Sequence, residues 1–116
     1  MTTTITQEGS PTTSRNHYGA STVSFFKIEG GQNDGRHIKV WTGKNSSGKV
    51  STHAQVCTIT SATSTSFGSE SFMMFQDPSM WLNNGEKVRA TEKTLMEQHQ
   101  RALITLAELS TDWVNG

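Results

Sequence analysis

The feature that most constrains this chain is a change of period. Apolar residues recur in short β-like runs broken by glycine-containing turns through the first two thirds, and at helical spacing after that. Thr22-Val23-Ser24-Phe25-Phe26-Lys27-Ile28-Glu29 is β-branched and aromatic and runs into Gly30-Gly31-Gln32-Asn33-Asp34-Gly35, which reads as strand then turn. Asp34-Gly35 is expected to supply the positive-φ pair of a tight hairpin, with Arg36–Trp41 as the returning strand. A second turn, Gly43–Gly48, leads to a strand in which Val50, Ala54 and Val56 alternate with polar neighbours, and a change of face near Cys57 and Ile59 marks a bulge. Asn45-Ser46-Ser47 spells a glycosylation sequon, but its composition is that of a turn. The group Phe72-Met73-Met74-Phe75 suggests a further strand bounded by Asp77-Pro78, and Met80, Trp81 and Leu82 are expected to fasten an irregular stretch onto the sheet.

Between about Lys87 and Leu109, residues Leu95, His99, Ala102, Leu103, Leu106 and Leu109 fall on one helical face, with good helix formers between them. Residues 1 to 20 hold Thr, Ser, Gly and Pro11 with almost no aliphatic side chains. They read as a disordered tail ahead of a single domain over 21–116. The expected fold is α+β: an antiparallel β-meander of three to four strands with one C-terminal helix packed on one face. One helix covers one side of such a sheet. If Ile38, Val40, Ala54 and Val56 face the helix, then His37, Lys39, Trp41, His53 and Gln55 line the uncovered side.

Composition narrows the function classes. Ten Lys and Arg balance ten Asp and Glu, so no chain-wide field draws the protein to a polyanion, and any basic patch is local. The single cysteine, Cys57, excludes an intramolecular disulfide, and no run is long and apolar enough to cross a membrane. Met1–Glu8 has neither the basic start nor the apolar run of a secretory signal, so the expected location is cytoplasmic, with no membrane partner.

No catalytic constellation stands out. Cys57 lies mid-strand among Thr and Val, away from the cations or helix N-terminus that would activate a thiol. No Gly-x-Ser-x-Gly turn is present, and the carboxylates are scattered over a hairpin and an exposed helix face. Gly43 to Lys49 approaches a phosphate-binding loop, but Val50 replaces the magnesium-binding hydroxyl and strands flank it on both sides. His17, His37, His53 and His99 lack the close spacing of a metal motif, so neither a metal nor another cofactor is expected.

Two readings remain. The first is a small non-enzymatic accessory or regulatory protein of viral or mobile-element origin, acting through homodimerisation or a protein partner with Trp41, Trp81 and Trp113 as anchors. The alternative is a single-stranded nucleic-acid binder that uses Arg36, His37, Lys39, Trp41, Lys44 and Lys49 around the second hairpin, with cations for the backbone and an aromatic ring for base stacking.

Overall fold

A computed structural model describes residues 2–16, 19–65, 68–83 and 85–115. Five strands, β1 (Thr4–Asn16), β2 (Gly19–Glu29), β3 (His37–Lys44), β4 (Val50–Thr65) and β5 (Gly68–Trp81), form one sheet in the order β1-β2-β3-β4-β5. Each strand pairs antiparallel with its neighbour in the chain. A helix, α1 (Glu92–Glu108), and a short 3₁₀ helix (Thr111–Asn115) follow. The meander and the C-terminal helix are as expected; the strand count is higher. Thr4–Asn16, read as part of a polar tail, runs along β2 as an edge strand. Hydroxyl-rich composition is compatible with an edge strand, whose backbone bonds supply what its side chains cannot bury. Its polar stretch at Gly9 and Pro11 is accommodated where the register with β2 shifts between Glu8 and Thr12.

The connections differ in detail from the hairpin expected at Asp34-Gly35. Gly30, Gly31 and Gly35 take positive φ, whereas Asp34 does not; its carboxylate accepts from the Gly30 N–H at 2.6 Å. The link from β2 to β3 is therefore a longer loop pinned by an Asp side chain. Asn45 works similarly in the next turn, where its Oδ1 accepts from the N–H groups of Ser47 (2.9 Å) and Lys49 (3.1 Å). The last strand is also longer than expected. β5 continues past Asp77-Pro78 to Trp81, taking in Met80, because the pairing with β4 shifts register between Gln55 and Cys57 and resumes.

The helix begins at Glu92, later than the periodicity suggests. Thr91 caps it through a reciprocal capping box with Thr94. The preceding segment is irregular, and Glu86 exchanges backbone bonds of 2.8 Å with Val50. Leu95, His99, Ala102 and Leu106 form the buried stripe of α1, which lies across β2, β3 and β4. Ala102 and Leu106 meet Phe26, Ile28, Ile38, Val40, Ala54, Val56 and Val114 in the main core. The C-terminus is tied down by polar contacts: Asn33 Nδ2 donates to the Val114 carbonyl, and Thr111 Oγ1 donates to the Thr3 carbonyl at 2.8 Å. No helix among the described residues is long and apolar enough to cross a membrane.

Because α1 holds the sheet through few large side chains, each matters. Leu106→Ala should lower unfolding free energy by ~2–5 kcal/mol, read as a reduced urea midpoint with unchanged slope. A loss below ~0.5 kcal/mol, the range of an exposed substitution, would show that the stripe is not the core contact.

Candidate functional site

Alternation places one set of side chains of the central strands under α1 and the other set on the opposite, uncovered face. Across that face the pairing aligns three rows: Val23, Trp41, His53 and Trp81; Phe25, Lys39, Gln55 and Ser79; and Lys27, His37, Cys57 and Phe75. The five residues expected to line the open side therefore do so, with Ile38, Val40, Ala54 and Val56 turned into the core.

The centre of the face is a shallow cup of about 130 Å³ lined by Lys39, Trp41, His53, Gln55 and Phe75. Lys39 Nζ lies 5.3 Å from the centroid of the Phe75 ring, which holds the ammonium over an aromatic face. His53 and Trp81 pack at a ring-centroid separation of 4.7 Å with an interplanar angle of 46°. Trp81 is 56% exposed, an unusual position for so large an apolar ring unless something covers it. Gln55 Nε2 donates to the Gln76 carbonyl at 3.3 Å, fixing the floor of the cup to β5.

Trp41 lies flat because of Gly43. A Cβ at Gly43 would collide with the six-membered ring of Trp41, so glycine two residues along the strand is what lets the indole rest against the sheet. Burial pushes the His53 imidazole below its ordinary value of 6.5, leaving it neutral at pH 7 and suited to packing against rings. The Cys57 thiol is raised, chiefly by burial and against the opposing influence of Lys39, so it stays protonated and packs as a small apolar group. At the rim, His37 Nε2 stands 3.1 Å from Glu8 Oε2, linking β3 to β1 across β2.

The remaining site expectations distribute unevenly. His37, Lys39 and Trp41 share the open face, but Arg36 turns to the β2–β3 loop, where its Nη1 donates to Asn33 Oδ1 at 2.6 Å. Lys44 pairs with Val50, a core residue, and so projects on the helix side; Lys49 is exposed in the turn after it. The three tryptophans also part company. Trp41 and Trp81 share one row with His53 between them, whereas Trp113 packs partly buried against the core from the 3₁₀ helix.

Two contributors escaped sequence reasoning. Lys27 shares the open face with Lys39, but Phe25 and Phe26 are both apolar and obscure the alternation that would have shown it. Phe75 reaches Lys39 only because of the register shift in β5, which has no clear mark in the residue pattern.

Among the described residues no group of three or more His, Cys, Asp and Glu side chains converges as a metal site. Compared with known proteins, the chain matches no family model, and neither a curated protein nor a solved structure is significantly similar to it.

The geometry around Gly43 is testable by itself. Gly43→Ala should drive the Trp41 ring off the sheet and change the near-ultraviolet circular dichroism and the fluorescence attributable to Trp41, identified by difference against Trp41→Phe. An unchanged Trp41 signal would contradict the contact.

Proposed function

We propose that this chain is a non-enzymatic protein that binds single-stranded nucleic acid on its open sheet face and associates with a second copy of itself along β5. The observation that carries the nucleic-acid reading is the cup of Lys39, Trp41, His53, Gln55 and Phe75. It combines a cation for a phosphate, flat rings for bases and an amide able to donate and accept, which is the chemistry unpaired bases call for. Lys27 extends the basic character along the same face. The zero net charge of the whole chain is no obstacle to a local contact, since Lys27 and Lys39 share the open face.

Self-association is favoured by the distribution of exposed apolar groups. β5 is an edge of the sheet, and Met74, Phe75 and Trp81 on it are all at least half exposed. A long edge with apolar side chains is a natural site for strand addition. Two copies joined there by a twofold axis would present their open faces as one continuous surface. A small protein with those two properties is suited to coating or sequestering a strand, a role consistent with an accessory protein of viral or mobile-element origin.

Anisotropy of labelled single-stranded RNA and DNA oligonucleotides tests the reading. Binding should be detected at low salt and weaken steeply as salt rises. Trp41→Ala should weaken it by about 5- to 150-fold, the range for loss of one stacking platform, and Lys39→Glu should do at least as much, while Lys44→Glu on the helix side has a small effect. Absence of binding at low salt would refute the nucleic-acid reading. Light scattering at two concentrations should give a dimer that Met74→Asp dissociates; a wild-type monomer at both would refute the β5 association.

A further inference from the structure

The docking of α1 depends on a histidine in a place where a charge cannot be neutralised. His99 is fully buried at the middle of the helix–sheet contact. Its Nε2 lies 2.6 Å from Ser24 Oγ on β2 and its Nδ1 lies 2.8 Å from Thr42 Oγ1 on β3. Thr42 Oγ1 is in turn 2.7 Å from Thr52 Oγ1 on β4. One ring thus joins α1 to three strands through a row of hydroxyls, all buried. A neutral imidazole donates from one nitrogen and accepts at the other, and hydroxyls can serve both roles, so every member is satisfied.

Protonation keeps the hydrogen bonds possible, with both nitrogens donating, but leaves a positive charge without a partner. The side chains that β2, β3 and β4 turn toward His99 are Thr, Ser, Val and Ala; the nearest charged group on that face is Lys44, exposed at the end of β3, a cation that cannot neutralise a protonated ring, and no carboxylate stands among them. On α1 itself Glu92, Lys93, Glu97 and Arg101 are exposed; in the irregular segment before it Glu86, Lys87 and Arg89 are exposed as well, and the Glu86 carboxylate accepts from Gln98 Nε2 on the solvent side. An unpaired charge in that setting is expelled more readily than it is accommodated.

We propose that His99 is an acid-sensitive latch: taking up a proton at mildly acid pH loosens α1 on the sheet and raises the fraction of molecules in which the apolar face beneath it is uncovered. Burial lowers the His99 imidazole from its ordinary 6.5 to about 4. The sign follows from linkage. Between those two values the docked helix holds a neutral ring, and the released helix holds a charged one. Docking is therefore strongest above pH 6.5 and weakens about tenfold for each pH unit as the pH falls from there toward 4. The latch is separate from the open face, since Ser24, Thr42 and Thr52 point away from it.

Amide hydrogen exchange of the full chain, corrected for intrinsic rates, tests the latch at pH 7.5 and 5.0. Protection of α1 should drop about thirty-fold between the two, and protection in β3 should drop less. His99→Gln, which keeps an amide donor and acceptor but cannot titrate, should show no such drop. An unchanged α1, a parallel loss in β3, or the same drop in His99→Gln would each overturn the proposal. If His99→Gln does not fold, the wild-type imidazole resonance decides. A His99 midpoint well below 6.5 that coincides with loss of α1 protection supports the latch, and a midpoint near 6.5 with α1 still protected refutes it.

Discussion

The packing of one helix across β2, β3 and β4 is the contact on which the rest of the molecule depends. A sheet has two faces, and the described chain has one α-helix with which to cover them. The stripe Leu95, His99, Ala102 and Leu106 brings the helix onto the aliphatic side of the central strands, where Ile28, Ile38, Val40, Ala54 and Val56 are removed from water. The side chains that alternate with them along the strands are thereby committed to the opposite side. The open face is a consequence of the core, produced by strict alternation in β2, β3 and β4.

The same contact is unusual in being partly polar. Aliphatic pairs dominate the half of the interface nearer the C-terminus of α1, and hydroxyls with a histidine take up its middle. Replacing such a network by apolar residues often leaves stability unchanged or raised, so its presence is better understood through what it does to the pH response of the helix than through raw affinity. On the open face the logic is reversed. Trp41, Phe75 and Trp81 are apolar rings on the surface, and each is held in place by a neighbour: Gly43 beneath Trp41, Lys39 over Phe75, His53 against Trp81. Rings positioned in that way lose little freedom on binding a flat partner.

Much of this was legible in the residues. The switch from strand-like to helical spacing locates the sheet and helix, and alternation in Ile38–Trp41 and His53–Val56 separates the two faces correctly. What sequence reasoning missed has common causes. β1 is an edge strand whose stability comes from backbone pairing, so its side chains carry no hydrophobic signal. β5 changes register where Gln76, Asp77 and Pro78 intervene, and the face to which Phe75 belongs is decided there by pairing. Arg36 and Lys44 sit near Lys39 in the chain, but Arg36 lies ahead of β3 and bonds into the loop, and the odd spacing from Lys39 to Lys44 puts Lys44 on the helix side. Thr91 starts the helix one turn later than the apolar spacing implies, because a cap fixes a boundary that periodicity only approximates.

We propose the face opposite α1 as the place where this protein meets a single-stranded nucleic acid. The most direct measurement is a backbone and side-chain amide NMR titration of the isotope-labelled protein with a short unpaired RNA or DNA oligonucleotide at low salt. Perturbations should concentrate on Lys27, Lys39, Trp41, His53, Gln55, Phe75 and Trp81, with the indole N–H signals of Trp41 and Trp81 moving and that of Trp113 still. Perturbations centred on α1 or on the turn at Asn45–Lys49, with the open face silent, would contradict it.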